Sequence, residues 1–138
     1  MTDPTAVRVP RAAMRVAQAW GALALVHAVI GVAGLDRLGR LFARPVRQPD
    51  ADVGRALLAP TWHAVDRAQR VYPARVACLH RAAATVYLLR RRGVPAQLVV
   101  GVRNTPFETH AWVELDGRVV GSDHDAEVAA SYAVVARV

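Results

Sequence analysis

No lysine occurs in this chain: all 18 of its basic residues are arginine, set against 11 acids, for a formal net charge of +7 over 138 residues. It has a single cysteine, Cys78, and few aromatic residues, with three tryptophans, three tyrosines and two phenylalanines. A lone cysteine excludes an intramolecular disulfide framework and any zinc site built from several thiolates. Two roles remain for Cys78, a small buried hydrophobe or a nucleophile. The arginine excess attracts nucleic acid, anionic lipid and acidic peptide alike, so charge alone does not select a partner. Arg90-Arg91-Arg92 is the one tight cluster, and it falls where a helix is expected to end. It reads as a helix C-terminal cap with a solvated face, and no nucleic-acid partner is expected.

At 54% hydrophobic residues the chain can bury a sizeable core within one domain. Val16 to Leu35, VAQAWGALALVHAVIGVAGL, is a mostly apolar run long enough to span a bilayer. Gln18 and His27 interrupt it, glycines and alanines dilute it, and no signal-peptide cleavage site follows. A buried or partner-covered helix pair is expected, with membrane association possible but not favoured and a cytoplasmic location.

Residues 1 to 10, with Pro4 and Pro10, read as a loose start, and a helical segment from about Ala12 to Ala43 should break near Gly31 to Gly34. RPVRQPDAD, Arg44 to Asp52, reads as a linker, which divides an N-terminal helical region, 1–52, from a core, 53–138. Thr61 can cap the next helix, where Trp62, Val65, Ala68 and Val71 recur at intervals of three before Tyr72-Pro73. Leu79, Ala83, Val86 and Leu89 mark one face of a helix from Cys78 to Arg92, stopped by Gly93. Ala96 to Val102, Thr109 to Leu115 and Arg118 to Asp123 are β-prone runs, and Asp116-Gly117 is a two-residue hairpin signal joining the last two. The expected class is α+β: N-terminal helices, then a cysteine-bearing helix packed on a small antiparallel sheet.

A cysteine on the first turn of a helix meets free backbone N–H groups that stabilise a thiolate. Cys78 has that position if residues 72 to 76 form a loop. A histidine must then take the thiol proton, and an acid must hold the imidazole in the right tautomer. With Asp116 and Gly117 as the turn, Leu115 faces Arg118, Val113 faces Val120 and His110 faces Asp123, on one face of the hairpin. Cys78, His110 and Asp123 are therefore the candidate triad, with Asp125 a diagonal alternative. His27, His63 and His80 read as packed or exposed residues. Asp123-His124-Asp125 cannot all point at one ion from a strand, and neither metal nor cofactor is expected.

CLHRAAATVYLLRRRGVPAQLVVGV followed by PFETHAWVELDGRVVGSD resembles the leader peptidases of lasso-peptide maturation, a branch of the transglutaminase-like, papain-related cysteine enzymes. The resemblance runs from about Thr61 to the C-terminus. It implies a transglutaminase-like core, Cys78 as nucleophile, His110 as base, and a following aspartate as the orienting acid. It also implies a precursor leader peptide as substrate, a separate leader-recognition protein as partner, and an ATP-dependent lasso cyclase acting afterwards. Two rival readings remain: an acyl transferase of the same fold, and a non-catalytic basic module in which Cys78 is core and arginines hold RNA or an acidic partner.

Overall fold

The computed structural model describes residues 11–43, 51–121 and 123–138; the side chain of Asp123 and the greater part of the expected linker lie outside the described residues. Five helices and four strands follow in the order α1 (Arg11–Ala33), α2 (Leu35–Phe42), α3 (Ala51–Arg70), α4 (Cys78–Arg91), β1 (Gln97–Asn104), β2 (Phe107–Leu115), β3 (Arg118–Val119), α5 (Asp123–Ala130) and β4 (Ala133–Arg137). This is the α+β class expected, with α1 and α2 separated at Gly34, whose φ of 75° is open to glycine. Helix α1 is long and apolar enough to cross a membrane, and one of its faces packs inside the protein.

Ala19, Leu23 and Val26 of α1 join Val65 and Ala68 of α3, Ala83, Val86 and Leu89 of α4, and Leu98 and Val113 of the sheet in one buried cluster. The N-terminal helices thus share the core of the remainder. Alanines at 82, 83 and 84 let α4 lie close to its neighbours, and the buried Thr85 returns its hydroxyl proton to Arg81 O at 2.8 Å.

Two sequence expectations change here. Thr61 does not cap a helix: α3 begins ten residues earlier and runs through Pro60, leaving Thr61 buried inside it. Proline and threonine together imitate a helix start, but packing of Leu57, Leu58, Ala64 and Val65 against the core carries the helix across the lost backbone hydrogen bond. The third β-prone run is also shorter than expected. Strand β3 ends at Val119, and the chain then forms α5 and β4, giving the sheet order β3-β2-β1-β4.

The arginine cluster ends α4 as expected, with Arg91 and Arg92 exposed, but Arg90 is half-buried. Arg90 donates from Nε to Ala96 O at 2.7 Å and from Nη1 to Phe42 O at 2.9 Å, tying the end of α2 to the loop before β1. Burial pushes its guanidinium pKa down from the ordinary value. Arg91 donates to the Tyr87 hydroxyl and Arg92 to Gln18 Oε1 of α1, each at 3.1 Å. Arg90→Met should therefore cost about 2 kcal/mol, because two carbonyls lose charged donors, whereas Arg91→Met should stay within about 0.5 kcal/mol. Urea unfolding of the two variants checks this; equal midpoints would contradict it.

Candidate active site

Cys78 is the first residue of α4 and is exposed. The loop reading of the residues before it holds, since α3 ends at Arg70 and helix resumes at Cys78. A buried, purely structural role for the thiol does not fit that exposure. The N–H groups of the first turn have no intrahelical acceptors, so the sulfur stands where backbone dipoles attract negative charge. Ala77, the N-cap, has no side-chain acceptor, and only the return half of a capping box forms: His80 Nδ1 accepts the Ala77 N–H at 3.2 Å.

Aromatic stacking fixes that turn to α1. His80 stacks on His27 with ring centroids 3.9 Å apart and planes at 13°, and Tyr72 of the preceding loop also stacks with His27, at 5.4 Å. Trp20 leans on Tyr72 at 5.3 Å. Burial first, and the charge of His27 second, lower the pKa of His80. A neutral His80 keeps Nδ1 free to accept, so this stack and the N-cap hydrogen bond favour the same protonation state.

His110 lies inside β2 rather than at its start, opposite Gly101 of β1. Alternation along β2 sends Ala111, Val113 and Leu115 into the helical core. The other face carries Trp112, packed with Val99, Ala129 and Tyr132. His110 shares this second face, stacked on Trp112 with centroids 5.8 Å apart and tilted against Tyr132 at 5.3 Å. Gly101 makes the arrangement possible: a Cβ there would lie 2.7 Å from Trp112 Cη2 and 2.8 Å from Tyr132 Cβ. Tyr132 is held in turn by its hydroxyl, which donates to Glu108 Oε2 at 3.1 Å, and by Arg103 over its ring. Arg103 also pairs with Glu108.

The short β3 decides how helix and strand meet. It pairs Glu114 with Val119 and Leu115 with Arg118, and Val120 N–H still reaches Val113 O at 2.8 Å, as the turn chemistry implied. The ladder stops there, so among the described residues the flank of β2 at His110 has no strand neighbour on that side. Through this gap a cavity of about 240 Å³ joins Cys78 and Arg81 of α4 to His110 and Trp112 of β2, and Asp125 of α5 lines it too. The expected pairing of His110 with Asp123 across two strands is not formed, because Asp123 opens α5. Among the described side chains, Asp125, one half-turn on, is a carboxylate whose charge His110 feels. Its place depends on Gly121, where φ is +133° and a Cβ would stand 2.5 Å from Asp125 Oδ2. Burial lowers the His110 pKa from its ordinary value, and the charge of Asp125 partly restores it.

Two further residues escaped sequence reasoning. Glu114, buried beneath this face, accepts from Trp112 Nε1 at 3.0 Å and from Arg137 Nη1 of β4 at 2.5 Å. Burial pushes its carboxyl up, but those hydrogen bonds and the Arg137 charge outweigh it and hold it below the usual range. Trp62 of α3 forms a cavity wall, its face covered by Arg81 at 4.0 Å, while Arg81 pairs with Asp66 at 3.2 Å. An Arg four residues before Thr85 carried no sequence signal for either contact.

Comparison with known proteins agrees with this architecture. Residues 22–137 match the model of the transglutaminase-like superfamily, from within α1 to the end of β4. The microcin J25-processing protein McjB of Escherichia coli is 44% identical over 43 residues, 31% of this chain and 21% of that protein. The match thus spans about a fifth of the relative's length. No solved structure matches. With both the helical layer and the sheet inside the matched region, this chain belongs to the transglutaminase-like superfamily.

Proposed function

We propose that the chain is a cysteine peptidase that releases the leader from a ribosomally made lasso-peptide precursor, with Cys78 as nucleophile and His110 as base. The single observation that carries this is the cavity lined by a helix-start thiol, an imidazole and a carboxylate together. The similarity to a microcin-processing protein supplies the substrate class.

In the reaction, His110 takes the Cys78 proton and the sulfur adds to the scissile carbonyl carbon. The oxyanion so formed faces the free N–H groups of the first turn of α4. His110 then protonates the departing amine, the C–N bond breaks and a thioester remains. Water, deprotonated by His110, attacks the thioester, and the leader leaves as a free acid while Cys78 recovers its proton. A partner that binds the leader raises its effective concentration at this site, and an ATP-dependent cyclase consumes the released core.

Asp125 is our assignment for the acid that orients His110, in place of Asp123. Its carboxylate acts on the imidazole and lines the same cavity, whereas the strand register that favoured Asp123 is not formed.

Incubation with the neighbouring precursor peptide, with and without the leader-binding partner, tests the whole reading by mass spectrometry. The expected product is a leader ending in a free carboxylate, formed faster when the partner is present. Cys78→Ala and His110→Ala should each abolish it while urea midpoints stay near wild type. An active Cys78→Ala variant would remove the nucleophile.

The acid is tested by its effect on pH dependence. Because burial depresses the His110 pKa, the acid limb of kcat/KM should lie below about 6.5, the ordinary histidine value. Removing a carboxylate that raises that pKa should move the limb lower still. Asp125→Asn is thus expected to shift the profile towards acid and to reduce kcat by about a hundredfold or more, with Asp123→Asn much milder. A crippled Asp123→Asn beside a near-normal Asp125→Asn would reverse the assignment.

A further inference from the structure

The cavity holding Cys78 is the smaller part of a longer cleft. A second cavity, of about 840 Å³, adjoins it and shares Trp62, Val120 and Asp125 as lining residues. Its size falls within the range of about 300–1,000 Å³ typical of ligand sites. One wall is α3, through Arg55 and Leu58; the other is the β2–β3 hairpin, through Leu115, Arg118 and Val119. The cleft therefore runs from the nucleophile to the Asp116-Gly117 turn, parallel to the C-terminal half of β2. His110 and Asp116 are six residues apart, which at strand rise is about 20 Å.

Its chemistry is uneven. Leu58, Ala59, Leu115 and Val119 supply an apolar floor, whereas Arg55 and Arg118 are exposed and enter no ion pair among the described residues. His63 and Asp116 are the other titratable groups on these walls, and Asp125, whose charge acts on His110, lies at the junction. Among the described side chains beyond the junction with Asp125, two guanidinium groups stand against the one exposed carboxylate of Asp116, so this outer part is positive. Strand β3 is also the edge of the sheet. Edge strands accept an extended segment alongside them through backbone hydrogen bonds.

We infer that this cleft between α3 and the β2–β3 hairpin is the substrate groove on one side of the scissile bond, and that it selects an extended segment of about six residues carrying apolar side chains and an acidic residue that meets Arg55 and Arg118. The inference rests on Cys78 being the reacting thiol. Continuity of the cleft with that thiol is what assigns it to the substrate rather than to a separate ligand. Trp62, held flat by Arg81, forms the fixed wall where the two cavities meet.

Affinity labelling tests the groove without requiring peptide cleavage. Two synthetic heptapeptides are used, alike in their apolar residues, one with two aspartates and one with arginines in their place. Each is prepared with an iodoacetyl group at the N-terminus, or at a C-terminal diamino residue, so that both directions from the thiol are sampled. The Cys78 sulfur displaces iodide and forms an S–C bond, read by intact mass, and each rate is divided by that of iodoacetamide on the same protein. In one direction the aspartate peptide should label about tenfold faster than the arginine peptide. Arg55→Glu combined with Arg118→Glu should abolish or invert the preference, and added salt should weaken it. Equal rates for both peptides in both directions, or a preference surviving in the double variant, would overturn the groove. Selective labelling without cleavage of the precursor would overturn the peptidase reading alone; cleavage without selectivity would overturn the groove alone.

Discussion

A reactive sulfur must meet solvent and substrate, yet the helix that carries it must be buried to be rigid, and α4 meets both demands along its length. Its first residue is exposed Cys78, while Ala82 to Val86 and Leu89 are enclosed by α1, α3 and the sheet. Small residues allow that enclosure without pushing the neighbours away, and Arg90 fastens the far end through two backbone carbonyls. At the near end there is no conventional N-cap. The hydrogen bond from Ala77 to His80 and the stack of His80, His27 and Tyr72 take its place. Helix α1 thus anchors the turn that carries Cys78.

The sheet solves the matching problem for His110, the proposed base. Its two faces bury different partners, and His110 lies on the face away from the helical core, where Trp112 and Tyr132 restrain its ring. A histidine so placed would be screened from α4 by a full-length neighbouring strand. Ending β3 after two residues removes the screen, and the same early ending releases the chain to build α5, which returns Asp125 towards the imidazole. One departure from the regular hairpin therefore supplies both the opening and the proposed acid. Glu114, bridging Trp112 to Arg137, keeps β4 against this face although its own burial is unfavourable.

What could be read from the sequence follows how local each signal is. The glycine stop at Gly93, the break at Gly34, the loop before Cys78 and the Asp116-Gly117 turn are set by backbone preferences within a few residues, and all appear in the fold. Register was legible only as far as the turn could dictate it, to Val113 and Val120. Beyond that point Gly121, with φ of +133°, ends the strand, and a period-two reading has no means of seeing a bend that one glycine permits. Thr61 misled for the opposite reason: a local cap signal was overridden by tertiary burial. Cys78 and His110 could be proposed together from sequence because few residue types can do that work, and the fold brings both to one cavity. The roles of Trp62, Tyr132 and Arg81 came from contacts between distant elements, which leave no pattern in sequence.

Hydrolysis and acyl transfer share every step to the thioester, so the choice between them depends on what reaches that carbonyl next. An amine acceptor prevails over water only when it is held in a productive pose at high effective concentration. Here the sulfur is exposed at the helix end, and water has direct access to it. The larger cavity leads away from Cys78 along α3 as a groove lined by apolar side chains and two arginines. Such a groove fits a chain segment continuous with the acyl group or the departing amine, and its cationic rim attracts a carboxylate rather than an ammonium. Arg55 and Arg118 would repel an ammonium in that groove, which is in keeping with the proposed release of a free acid over formation of a new amide.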